Sequence, residues 1–173
     1  MNFVKHFRLI CLALLALAAS VSAPATAGAL TDYAENKLVD ALLRGQAIGA
    51  PATWYYALFT TCPTDSTAGT EVSGGSYARS GVTASLANFA GTQSAGSTVA
   101  SAGTGGTSSN NATVTFAPGP SASWGVINCW GRMDALTVGN LWIYSALTVS
   151  KTVNNGDAAP SFAAAAATFQ IDN

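Results

Sequence analysis

Thr53-Trp54-Tyr55-Tyr56-Ala57-Leu58-Phe59-Thr60-Thr61 is the stretch on which the fold turns. It is rich in aromatic and β-branched residues, and its apolar side chains fall on both of the faces between which a strand alternates. A strand with one wet face would alternate apolar with polar, whereas this pattern belongs to a central strand covered on both sides. Cys62-Pro63-Thr64-Asp65 terminates it, because proline offers no N–H to a ladder and aspartate favours a turn.

Strand-like segments continue downstream of this stretch. They are residues 76–85 (SYARSGVTAS), 112–116 (ATVTF), 124–130 (WGVINCW), 140–149 (NLWIYSALTV) and 161–171 (SFAAAAATFQI), each bounded by Gly, Pro, Asn or Ser. In the last, the alanine run 163–167 favours helix on propensity, while Phe162 and the Phe169-Gln170-Ile171 alternation favour strand. Upstream, residues 31–45 read as the one helix. Asp32 serves as its cap with Glu35 as capping-box partner, and Ala34, Leu38, Ala41 and Leu42 form one apolar stripe. Asp40 and Arg44 are spaced as an i,i+4 ion pair, and Gly45 ends the helix. The reading is a mainly β chain, a single β-sandwich-like domain of about five to seven strands with one short N-terminal helix.

Residues 91–111 (GTQSAGSTVASAGTGGTSSNN) are nearly devoid of bulk and bury too little apolar area to offset their own ordering. They are expected to form a flexible loop, or an arm that orders against a neighbouring subunit.

The N-terminus has a different character. Lys5 and Arg8 precede an apolar run from Leu9 to Ala19, and Ala25-Thr26-Ala27 supplies small residues at the −3 and −1 positions of a cleavage site. Residues 1–27 therefore read as a secretion signal, which places the mature protein outside the inner membrane, secreted or at the cell surface. A membrane anchor is disfavoured, because a spanning helix needs about 20 apolar residues and Ser20, Ser22 and Pro24 interrupt the run. Residues 28–173 would remain as the mature β-rich domain, with Gly28-Ala29-Leu30 as a short free lead-in to the helix. That part holds five basic residues (Lys37, Arg44, Arg79, Arg132, Lys151) and eight acidic ones (Asp32, Glu35, Asp40, Asp65, Glu71, Asp134, Asp157, Asp172), a net charge near −3. The basic residues are dispersed, which argues against nucleic acid as a partner. So few charges on a surface of Ala, Gly, Ser and Thr suit a subunit that packs against copies of itself.

Only Cys62 and Cys129 survive removal of the signal, and export would bring them to an oxidising compartment where they can pair. A bridge within the chain is preferred, with free thiols or an intermolecular link as alternatives. Two cysteines without histidine make a poor zinc site, so neither metal nor cofactor is expected. The sole histidine, His6, leaves with the signal, and with it goes triad or Cys-His chemistry. Asp65, Glu71, Asp134 and Asp157 could in principle supply a carboxylate pair, but each lies in a turn-like context where a local structural role is the simpler account. No catalytic residue is assigned.

Several blocks carry a resemblance when taken together. They are Asp32-Tyr33-Ala34-Glu35-Asn36-Lys37-Leu38, Leu42-Leu43-Arg44-Gly45, Tyr56-Ala57-Leu58-Phe59-Thr60-Thr61 and, most specific, Thr70-Glu71-Val72-Ser73-Gly74-Gly75-Ser76-Tyr77-Ala78-Arg79. Trp124-Gly125, Gly139-Asn140-Leu141 and Lys151-Thr152-Val153-Asn154-Asn155-Gly156-Asp157 continue the series. In their order and spacing these blocks resemble a family of small phage and prophage tail-fibre proteins, β-rich virion components. The resemblance implies a virion structural subunit and brings no catalytic residues with it. Members of that family begin near the helix and generally lack cysteines at positions 62 and 129, so this chain looks like the same subunit used outside the cell.

The expected function is a non-enzymatic, self-assembling subunit of an extracellular filament, surface layer or phage-like appendage, hence a homo-oligomer or polymer. The alternative is a secreted module that binds a glycan or surface receptor through an aromatic platform drawn from Trp54, Tyr55, Tyr56, Trp124, Trp130, Trp142 and Tyr144, although aromatics in strands more often fill a core.

Overall fold

The computed structural model of the chain describes residues 29–171, so the secretion signal expected at 1–27 lies outside the described residues. The described residues are mainly β. Their elements, in chain order, are β1 (Ala29–Leu30), α1 (Asp32–Leu43), β2 (Thr53–Thr61), β3 (Thr70–Glu71), β4 (Ser80–Thr83), β5 (Thr107–Ser109), β6 (Val114–Thr115), β7 (Gly125–Met133), β8 (Leu141–Val153), β9 (Ser161–Phe162) and β10 (Thr168–Gln170).

The main sheet runs β1-β8-β7-β2-β3, with β4 also pairing along β2, and every pairing is antiparallel. β2 is central, as its two apolar faces require: Tyr55 to Phe59 pair with Met133 to Cys129 on one side, and β4 and β3 occupy the other. Its side chains divide by parity. Tyr56 and Leu58 enter the main core with Trp130, Ile127, Phe116, Phe162 and Val153, while Ala57 and Phe59 pack on the opposite face with Cys129 and Met133. The ribbon β6-β9 contributes Val114 and Phe162 to the main core, so a small second layer covers that face of the sheet. The second ribbon, β10-β5, brings Phe169 against Trp142 and Ile143 of β8, in the cluster that also holds Ala34 of α1.

Four expectations change in detail. Among the described residues ten strands stand where about five to seven were anticipated, because β1, β3 and β5 are only two or three residues long and are held by backbone pairing rather than by any side-chain period. The helix is capped by Thr31, not Asp32: the Thr31 Oγ accepts from the Ala34 N–H, which puts Glu35 out of phase for a capping box. The lead-in is not free, since Ala29 and Leu30 pair with Tyr144 and Ile143. Finally, residues 91–111 are not loop throughout. Their last part forms β5 against β10, and Asn110 is 1 % exposed.

Asn110 also explains the fate of the alanine run. Its side-chain Nδ2 donates to the Ala163 carbonyl and its Oδ1 accepts from the Ala167 N–H, while its own carbonyl accepts from Ala165 N–H. These bonds satisfy the run's backbone in a turn, so the segment expected as one strand divides into β9 and β10 with neither helix nor strand between them.

Candidate functional site

The block that carried the most specific part of the resemblance, residues 71–79, folds into a clamp at one edge of β2. Gly74, Gly75 and Ser76 take positive φ values of 74°, 55° and 62°, which turns the chain tightly enough to bring Arg79 back over Glu71. A side chain at Gly75 would meet the Ala122 carbonyl and the Trp124 indole, whose Nε1 donates to the Gly75 carbonyl at 2.8 Å. This turn confines the strand expected over 76–85 to β4 at Ser80–Thr83.

Arg79 grips Glu71 with a bidentate fork, Nε to Oε1 at 2.8 Å and Nη2 to Oε2 at 2.7 Å. Its Nη1 donates to the carbonyls of Ala135 and Val138, both at 2.7 Å, in the turn between β7 and β8. Tyr77 completes the set: its hydroxyl donates to Glu71 Oε1 at 2.9 Å and accepts from the Leu58 N–H at 2.9 Å. Burial, together with the neighbouring Glu71 charge, pushes the Tyr77 phenol far above its ordinary range, against the pull of the Leu58 N–H. Both Glu71 oxygens are thus engaged by Arg79 and Tyr77, an arrangement that fixes loops and offers no free acid or base.

Two of the other acidic candidates, Asp134 and Asp157, have hydrogen-bond partners of their own. Asp134 accepts from the Asn140 N–H at 2.7 Å, Asn140 Nδ2 at 2.8 Å and Trp142 Nε1 at 3.1 Å. Burial raises its pKa, but these hydrogen bonds outweigh it and hold the carboxyl below its usual value. Asp157 accepts from the Asn154 N–H in a local turn. Asp65 lies on the surface beside Asp32 and Glu35, and burial followed by these charges raises the pKa of the nearby Tyr144. The four carboxylates therefore serve four separate local settings.

Cys62 is bridged to Cys129, with Cα atoms 5.2 Å apart. The bridge ties the segment leaving β2 to the middle of β7, where Cys129 is 1 % exposed in the cluster with Phe59 and Ala57. Of the aromatics considered for a binding platform, Tyr56, Trp124, Trp130 and Trp142 are buried, leaving Trp54, Tyr55 and Tyr144 only partly accessible.

One residue escaped the sequence reading. Arg132, on β7, is 4 % exposed and belongs to neither ion pair among the described residues. Its guanidinium lies over the rings of Phe89, Tyr56 and Trp130 at 5.0, 5.1 and 5.5 Å. The signal that could have found it is a basic residue inside a run of buried strand positions, Cys129-Trp130-Gly131-Arg132-Met133.

The family model described as Podophage GP4 fiber I protein gp80 matches residues 29–170. No curated protein sequence matches the chain.

Proposed function

The chain belongs to the family of podophage GP4 fiber I protein gp80, and on that premise we propose that it is a non-enzymatic structural subunit that assembles with copies of itself into a fibre or fibre-like appendage outside the cell. A phage fibre family is a family of virion structural proteins, and the match over 29–170 is the observation that carries the reading. Two features of the chain support the self-association that goes beyond it. Charged residues make up 9 % of the sequence, too few to keep copies apart by repulsion. Large apolar side chains nevertheless stand in water, among them Leu42 and Leu43 at the end of α1, Leu136 and Val138 between β7 and β8, and Val126 and Val149 on β7 and β8.

Secretion through residues 1–27 remains part of the proposal, and the Cys62–Cys129 bridge supports it, since such a bridge persists in an oxidising compartment. Sedimentation velocity and negative-stain electron microscopy of the purified chain test the assembly. Discrete oligomers or filaments that survive reductant are the expected result. A species that stays monomeric at high concentration would overturn self-assembly while leaving the family membership intact.

A further inference from the structure

A groove of about 330 Å³ opens on the face of the molecule above Arg132. Trp54 from β2, Leu86 and Phe89 from the segment after β4, and Phe169 from β10 form its walls, and Arg132 closes its floor. Its size lies at the lower end of the range of about 300–1,000 Å³ found for clefts that hold small ligands. Most of the wall is apolar and aromatic, with Trp54 and Phe89 half-buried and so presenting ring surface to whatever enters.

The floor is the anomaly. An arginine removed from water normally meets a carboxylate, because the desolvation of a bare guanidinium is costly. Here Nη2 donates to the Ala167 carbonyl at 3.1 Å and the remaining compensation comes from the three rings around it. The Nε is buried without a well-formed hydrogen bond, the Tyr56 hydroxyl lying within reach of the guanidinium but poorly aligned with it. A buried arginine that meets no carboxylate among the described residues is unusual for a structural core.

We propose that this groove binds a carboxylate-bearing sugar residue, its carboxylate drawn to the uncompensated Arg132 and its ring face laid against Trp54 and Phe89. A guanidinium N–H donates a charge-assisted hydrogen bond to a carboxylate. Arg132 is the one cation among the groove's lining residues, which suits a singly charged carboxylate better than a dianionic phosphate. The aromatic walls favour a sugar over an acidic peptide: a pyranose presents a C–H face wide enough to cover a ring, whereas a glutamate side chain brings a few methylenes and leaves the walls wet. This site does not depend on the fibre reading, and self-association can be measured on the same samples.

Saturation-transfer NMR on the purified full chain tests the proposal, with glucuronic acid as ligand, glucose as the neutral control and a short oligo-glutamate peptide as the competing class. Glucuronic acid is expected to bind at least about tenfold more tightly than either control. Arg132 itself is buried, and its replacement would confuse folding with binding, so the deciding variants lie at the exposed rim. Leu86→Glu, which sets a negative charge beside the groove, is expected to weaken glucuronate binding by about tenfold with an unchanged circular dichroism spectrum, whereas Leu86→Lys is expected to preserve it. Equal binding of glucose, binding of oligo-glutamate in preference, no binding at all, or indifference to Leu86→Glu would each overturn the assignment.

Discussion

Arg79 uses every face of its guanidinium: Glu71 takes the fork through Nε and Nη2, and Nη1 holds two carbonyls of the β7–β8 turn. With the side chains 8 % and 25 % exposed, the pair is mostly out of water, and removing one partner leaves the other charge buried and uncompensated. Arg79→Ala should therefore cost about 3 kcal/mol in urea unfolding. Arg79→Lys should recover little of that, because an ammonium cannot reproduce the fork and the two carbonyl bonds together. An unfolding midpoint unchanged in both variants would show the clamp to be dispensable. Asp134 yields a pH prediction of definite sign. Its folded pKa lies below the ordinary 3.8, so the carboxylate contributes stability that is fully present above that value and is lost as pH falls through the folded pKa. The loss should be confined to pH below about 4 and be absent from Asp134→Asn, as thermal melts across an acid series would record.

At the scale of elements, the long central strand and the short helix were legible because each repeats a period: β2 is apolar on both faces, and α1 carries its polar and apolar residues at helical spacing. The two- and three-residue strands were not legible, since a backbone pairing of that length leaves no side-chain pattern. The alanine run was misread because the residue that directs it, Asn110, lies more than fifty positions away. Arg132 stayed hidden for the same reason, as its surroundings come from β2, from β7 and from Phe89 in the segment after β4. The helix cap separates two readings experimentally. Thr31 Oγ both accepts from the Ala34 N–H and donates to the Leu141 carbonyl at 2.6 Å, so it joins α1 to β8. Thr31→Ala should cost about 1 kcal/mol or somewhat more, and Asp32→Ala only a few tenths, an order that denaturant titration would reverse if Asp32 were the cap. The bridge between Cys62 and Cys129 closes a loop of 67 residues in sequence separation, worth about 4 kcal/mol on chain-entropy grounds. The paired Cys62→Ala, Cys129→Ala variant should lose stability of that order, and the loss should match that of the native chain in reductant.

Over the whole molecule, sheet and second layer bury Trp124, Trp130, Trp142, Phe116 and Phe162, yet Leu42 and Leu43 remain 73 % and 80 % exposed at the end of α1. The N-terminal half of the helix is anchored, through Ala34 beside Trp142 and through Thr31, whereas these two leucines lie outside the buried clusters. Burying a leucine on association contributes at least about 1.5 kcal/mol, so the pair would supply about 3 kcal/mol to a contact that covers both. Leu42→Glu with Leu43→Glu should then weaken self-association by roughly a hundredfold. Glutamate is as good a helix former as leucine and both sites lie in water, so the melting temperature of the dissociated chain should fall only by what negative charge at a helix C-terminus costs, about 0.5 kcal/mol per site. Sedimentation velocity across a dilution series reads the first quantity and calorimetry at low concentration the second. A doubly substituted chain that still assembles as the parent does would place the contact elsewhere, and Val138→Asp, at a residue 85 % exposed between β7 and β8, then becomes the variant that must disrupt it.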